Sequence, residues 1–74
     1  MSGDYRVILF ATTNHALRGE KVLKRAGLQA KLIPVPRHLS SDCGISLRIP
    51  AAQEAQAREA MAAANLPHQA LHPF

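Results

Sequence analysis

The sequence predicts an α+β fold in a single small domain, and three observations lead to that prediction. A β-branched and aromatic run opens the chain, two helix-forming segments are each bounded by capping residues, and three further short apolar runs are strand-like. With 74 residues, we expect one domain over residues 1–74. The core of so short a chain is marginal, and association between copies of the chain is therefore expected as a supplement.

The first strand is predicted from the run YRVILFA at residues 5–11. Its near-continuous β-branched and aromatic residues are typical of a central strand. Because side chains alternate along a strand, Val7 and Leu9 lie on one face of the sheet, and Ile8 and Phe10 lie on the other. We expect Ile8 and Phe10 to lie on the face that the helices leave uncovered.

The first helix is predicted over residues 14–26. Thr12, Thr13 and Asn14 are all N-cap residue types, and Gly27 suits the position just after a helix. The side of this helix that faces away from the sheet carries a row of cations: Arg18, Lys21 and Arg25. Such a row is typical of a solvated helix face, and it also suits the docking of an acidic partner.

Two short strands follow, separated by a polar loop. The run LQAKLIPVP at residues 28–36 predicts a strand that either lies at a sheet edge or ends at Pro34, because Pro34 has no N–H to donate to a neighbouring strand. The segment ISLRI at residues 45–49 alternates apolar and polar residues, as a half-buried strand does. Between them, RHLSSDCG consists largely of turn-forming residues.

The second helix is predicted in PAAQEAQAREAMAAANLP, with Pro50 at its start and Asn65 and Pro67 at its end. Its many alanines have a high helix propensity. The segment HQALHPF supplies a short last strand that ends at Pro73. The complete order, β-α-β-β-α-β, predicts the ferredoxin-like sandwich: a four-stranded antiparallel sheet with both helices on one face.

Composition excludes several classes of function. A single cysteine excludes an internal disulfide and a multi-cysteine zinc site, and no histidine pair has ligand spacing within a helix, so we expect neither a metal nor a cofactor. No apolar run is long enough for a membrane span, and the start of the chain does not resemble a signal peptide. The expected location is the cytoplasm, where a thiol stays reduced. The net charge of +4 suits an anionic partner of any kind.

The predicted topology brings distant residues together around that single thiol, Cys43. The turn before the first helix, the loop that holds Cys43 and the connection before the last strand all lie at one end of the sheet. A helix N-terminus and nearby cationic groups favour the reactive thiolate, whereas the adjacent Asp42 opposes it. The residues expected to support the thiolate are Asn14, His15, Arg37, Ser40, Ser41 and Gly44, with His38 and His68 as further cationic or donor neighbours. The alternative is a buried cysteine that acts only as a small apolar residue.

The segments TTNHALRGEKVLKRAG and KLIPVPRHLSSDCGISLRI resemble the family of small domains described as putative selenium/sulfur carrier protein-like. The resemblance covers nearly the whole chain. It implies that Cys43 accepts sulfur or selenium as a persulfide or perselenide and passes it on, as a carrier rather than a stand-alone enzyme. The implied partners are donor and acceptor proteins, such as a cysteine desulfurase or TusA-like proteins. The chain differs from TusA itself in lacking a Cys-Pro-x-Pro element.

Two other functions remain open on the sequence alone. One is a non-catalytic protein-interaction module that uses the open face of the sheet, where an exposed apolar patch would bind a partner. The other is nucleic-acid binding, which is the least favoured because the chain has just one tyrosine, two phenylalanines and no tryptophan to stack on bases.

Overall fold

The computed structural model of the chain describes residues 4–39 and 44–74. Its strands and helices follow the predicted order: β1 (Tyr5–Leu9), α1 (Thr13–Arg25), β2 (Lys31–Pro34), β3 (Ile45–Pro50), α2 (Glu54–Ala63) and β4 (Ala70–Pro73). The strands β2 and β4 are shorter than the predicted runs, and each ends at a proline. A proline at these positions suits an edge strand, because it removes a donor that would otherwise be offered to another chain.

The four strands form one antiparallel sheet in the order β2-β3-β1-β4. In the centre of the sheet, Ile8 of β1 lies opposite Leu47 of β3 on one side and Leu71 of β4 on the other. The strands β2 and β4 are the edges, as Pro34 and Pro73 require. This strand order, together with two helices, is the ferredoxin-like arrangement, and the predicted fold class is confirmed.

Helix α1 begins and ends with standard capping interactions. The Thr12 hydroxyl oxygen accepts a hydrogen bond from the backbone N–H of His15 at 3.1 Å, which fixes Thr12 as the N-cap. At the other end, the Gly27 N–H donates to the Lys24 carbonyl at 3.0 Å and the Leu28 N–H donates to the Leu23 carbonyl at 2.9 Å. This pair of bonds is a Schellman motif, and Gly27 takes the left-handed conformation that it requires, with φ of 81°.

Helix α2 starts later than its sequence predicts. Pro50 is the last residue of β3, and a single 3₁₀ turn over Ala51–Gln53 leads into the helix at Glu54. The predicted stop at Asn65 is confirmed: this residue has a positive φ of 56° and closes a second Schellman motif. In that motif the Leu66 N–H donates to the Met61 carbonyl at 2.9 Å.

The core lies between the sheet and the two helices. Among the residues that the structure describes, the buried members of this core are Ile8, Phe10, Ala16, Leu23, Leu47, Ile49, Ala57, Met61 and Leu66. At the tightest approach of α1 to the sheet, a Cβ added to Gly19 would lie 2.8 Å from Phe10 Cζ and 2.9 Å from Leu47 Cδ1. Gly19 is therefore a contact residue that sets how closely the helix packs on the sheet.

The predicted orientation of β1 is wrong. Ile8 and Phe10 do separate from Val7 and Leu9 as alternation requires, but Ile8 and Phe10 face the helices and belong to the core. The face without helices carries Val7 and Leu9 instead. The register between β1 and β3 determines which face of β1 the helices cover. It pairs Ile8 with Leu47, and this pairing places both residues on the same side of the sheet, in the core.

Candidate functional site

The end of the sheet at which the thiol site is predicted is defined by three strand ends. The last residue of β1, Leu9, lies opposite Ser46 near the start of β3 and opposite Ala70 at the start of β4. In addition, the Gln69 N–H donates to the Leu9 carbonyl at 2.7 Å. The start of α1, the connection from β2 to β3 and the connection from α2 to β4 therefore meet at this end, as the topology predicts.

The residues at the centre of the predicted site lie outside the described part of the chain. They are Ser40, Ser41, Asp42 and Cys43, and their roles stay predictions. What the structure does describe is the two arms of the loop that holds them. The Val35 N–H donates to the Gly44 carbonyl at 3.3 Å, which continues the pairing of β2 with β3 one step beyond the strands.

The first arm of the loop carries two basic side chains at the surface. The Leu39 N–H donates to the Pro36 carbonyl at 3.0 Å and closes a turn with Arg37 and His38 at its centre. Both of these side chains are exposed. On the other arm, a Cβ added to Gly44 would meet no described atom within 4 Å, so the approach to this backbone is open. The described parts of the two arms therefore present exposed basic side chains and an open stretch of backbone at this end of the sheet.

The start of α1 adds the positive end of a 13-residue helix to the same end of the sheet. The first turn contains no acidic residue that would offset this partial charge. Asn14 is exposed, whereas His15 is half-buried and its ring Nδ1 lies 3.0 Å from the Thr12 hydroxyl oxygen. The ring of His15 is therefore held against the cap of its own helix, at the first turn of α1.

His68 differs from the cationic neighbour that the sequence predicts. It lies in the connection from α2 to β4 and is half-buried. Burial, and secondarily the positive charge of Arg58, hold the pKa of the His68 imidazole below its usual value of 6.5. His68 is consequently neutral near pH 7, and it adds less positive charge to this end of the sheet than an exposed histidine would.

The open face of the sheet is covered by its own side chains rather than by a helix. Val7 and Leu9 are buried there although no helix packs on them. The Arg48 guanidinium carbon lies 4.4 Å from the centroid of the Tyr5 ring, and the Phe74 ring meets Tyr5 edge-on with centroids 6.5 Å apart. The apolar patch expected at Ile8 and Phe10 is therefore absent from this face, and a cation occupies one face of the Tyr5 ring.

Within residues 4–39 and 44–74, no group of three or more histidine, cysteine, aspartate or glutamate side chains is arranged to hold a metal ion. Among the same residues, no helix is both long enough and apolar enough to cross a membrane.

The chain is similar to a protein family over nearly its whole length. The family described as "Putative Se/S carrier protein-like" matches residues 4–73. This match spans every strand and helix of the fold and includes Cys43. Comparison with curated proteins and with solved structures gave no significant match.

Proposed function

Because the chain belongs to the family described as Putative Se/S carrier protein-like, we propose that it carries sulfur or selenium as a persulfide or perselenide on Cys43. One observation supports this residue above all others: the chain contains a single cysteine. A carrier that holds sulfur on a thiol has no other atom to use. The connection from β2 to β3, which contains this residue, lies within the matched region.

The proposed reaction is an exchange between sulfur atoms. The Cys43 thiolate attacks the outer sulfur of a donor persulfide, a new S–S bond forms, and the S–S bond of the donor breaks. The electron pair of the broken bond leaves with the donor sulfur as a thiolate. An acceptor thiolate then attacks the outer sulfur of the Cys43 persulfide, and Cys43 leaves as a thiolate. The transferred sulfur is neither oxidised nor reduced overall, so no further reactant is needed.

The surroundings support this reaction by favouring the thiolate and by leaving it accessible. The positive end of α1 and the exposed Arg37 lie at the end of the sheet from which the loop extends. In our proposal the hydroxyl groups of Ser40 and Ser41 donate hydrogen bonds to the negative sulfur, and Asn14 and His15 act from the helix. In the same proposal, the carboxylate of the adjacent Asp42 opposes ionisation of the thiol. An attacking thiol with a pKa near ambient pH is the most effective one.

The direct test is to load the protein with sulfur. The protein is incubated with a cysteine desulfurase and cysteine, and its intact mass is measured without reducing agent. The expected result is a gain of one sulfur atom on the wild-type protein and none on Cys43→Ala. An adduct on Cys43→Ala, or none on the wild type, would refute the proposal. Replacing cysteine by selenocysteine in the same reaction tests whether selenium is also accepted.

The rate of alkylation as a function of pH tests the state of the thiol separately. An activated thiolate gives a midpoint below the ordinary thiol pKa of about 8.5. Arg37→Gln is expected to raise this midpoint, whereas Lys31→Gln, on the face of the sheet away from the helices, is the matched control. A thiol that does not react at any pH would identify Cys43 as a buried structural residue and would contradict the proposal.

A further inference from the structure

Helix α1 carries a concentrated positive charge on a surface that the proposed reaction does not use. We name this surface the α1 basic face, and it consists of Arg18, Lys21, Lys24 and Arg25. All four side chains are exposed. They line a groove of about 680 Å³ between α1 and the end of α2, with Val22 and Ala64 as its apolar floor. None of the described residues that line this groove is acidic.

The structure holds one of these cations firmly in place. The Arg18 Nη2 donates to the Ala64 carbonyl at the end of α2, at 2.9 Å, which fixes the guanidinium at the edge of the groove. Lys24 has an acidic neighbour, because its Nζ lies 3.3 Å from Glu20 Oε2, one turn away. Arg25 and Lys24 lie in the last turn of α1, where the helix dipole favours a positive charge.

Among the described residues, Lys21 has neither a hydrogen-bond acceptor nor an ion-pair partner for its side chain. It lies three or four residues from three other cations, Arg18, Lys24 and Arg25, and like charges at these spacings destabilise a helix. The positive charge of Lys21 therefore destabilises the helix through these neighbours. A negatively charged partner that binds across this face would offset the repulsion.

The shape and the apolar part of the surface favour a protein partner. Arg18 and Arg25 are two helical turns apart, so the cations extend over about 10 Å along α1 instead of converging on one point. Leu17, which is 41 % exposed, lies one turn before Lys21 on the same side of the helix. No tyrosine or phenylalanine ring lies on this face, since Tyr5 and Phe74 are on the open face of the sheet and Phe10 is in the core. Single-stranded nucleic acid would use such rings for stacking.

We propose that the α1 basic face binds an acidic, amphipathic segment of a partner protein, with the carboxylates on the cations and an apolar residue on Leu17. Helical spacing of acidic and apolar residues in the partner would match the two turns of α1. That this partner is the sulfur donor or acceptor rests on the proposed function. The binding itself does not require Cys43.

The test measures the fluorescence anisotropy of a labelled synthetic peptide that has glutamate and leucine at helical spacing. We expect Lys21→Glu to weaken binding by about tenfold, because one exposed ion pair is lost and a repulsion replaces it. Leu17→Ala is expected to weaken binding without changing the charge. Lys31→Glu makes the same change of charge on the open face of the sheet, and it should leave the affinity within about twofold of the wild type.

Three outcomes would overturn the proposal. They are the absence of binding, an equal loss in Lys31→Glu and Lys21→Glu, and tighter binding of a labelled single-stranded RNA through Lys21. Absence of binding would mean that the face does not recognise an acidic peptide. An equal loss in the two variants would mean that net charge alone attracts the peptide, and tighter binding of RNA would assign the face to nucleic acid.

Two further measurements separate this inference from a structural role and from the proposed function. Thermal unfolding of Lys21→Gln should show a stability equal to or above that of the wild type while the same variant binds the peptide more weakly. A loss of both stability and binding would make Lys21 a structural residue. Cys43→Ala should bind the peptide as the wild type does, so a failure of sulfur loading leaves this result intact.

Discussion

Replacing Gly19 by alanine tests how tightly α1 packs on the sheet. The added Cβ would lie 2.8 Å from Phe10 Cζ and 2.9 Å from Leu47 Cδ1. Carbon atoms in contact are normally about 3.5 to 4.0 Å apart, so the Phe10 ring must retreat by at least about 0.7 Å. The end of a leucine side chain turns aside more easily than a ring. Phe10 is fully buried and therefore controls the cost.

Two opposing effects determine how much Gly19→Ala changes the free energy of unfolding. One extra methyl group in a packed core costs about 1 to 3 kcal/mol, whereas replacing glycine by alanine inside a helix gains about 1 kcal/mol. The expected net loss for Gly19→Ala is therefore about 1 kcal/mol. For a domain of this size such a loss lowers the melting temperature by roughly 4 to 8 °C.

A double-mutant cycle identifies the cause of that loss. Phe10→Leu removes the end of the ring, so in that background Gly19→Ala should stabilise the protein by about 1 kcal/mol through helix propensity. The free energy of unfolding of all four proteins is measured by urea denaturation followed by circular dichroism. Gly44→Ala, where the added Cβ meets open space, serves as the control and should change stability little. A stabilising Gly19→Ala in the wild type, or no coupling with Phe10→Leu, would refute the close approach.

The remaining predictions concern the helix ends and one histidine. Gly27→Ala should lower the free energy of unfolding by about 1 to 2 kcal/mol, because φ is 81° at this position. Asn65→Gly, at a φ of 56°, should leave the stability unchanged or raise it. Equal effects of the two substitutions in urea denaturation would contradict the two Schellman motifs. Thr12→Ala should lose about 1 kcal/mol of the N-cap, with Thr12→Ser retaining most of it, and similar melting temperatures for both variants would argue against the cap. The pKa of His68 is lower in the folded protein than in the unfolded chain, so the unfolded chain binds the proton more tightly. The protein therefore has extra stability above pH 6.5, and it loses this stability as the pH falls through the pKa that His68 has in the folded protein. The difference in stability between pH 7.5 and a more acidic pH should consequently be smaller in His68→Gln than in the wild type, and an unchanged difference would contradict the shift.

The sequence by itself determined the order of the strands and helices, because the signals for it are local. The Thr12 cap, the Gly27 and Asn65 stops and the alternation along β3 each depend on a few neighbouring residues. Pro34 likewise indicates a strand that lies at a sheet edge or ends there, and β2 does both. The position of the single cysteine between β2 and β3 follows from the same order, and so does the end of the sheet to which its loop belongs.

The tertiary structure decided three features that local sequence signals leave open: the orientation of β1, the lowered pKa of His68 and the groove beside α1. Both faces of β1 are apolar, so alternation alone cannot say which one the helices cover; the pairing of Ile8 with Leu47 settles it. The lowered pKa of His68 also depends on contacts that form only on folding, since burial and Arg58 cause it. The groove of the α1 basic face exists because the end of α2 packs beside Arg18. The Arg18 side chain donates to the carbonyl of Ala64, which is 46 residues away in the chain. Long-range contacts of this kind have no signature in a short stretch of sequence.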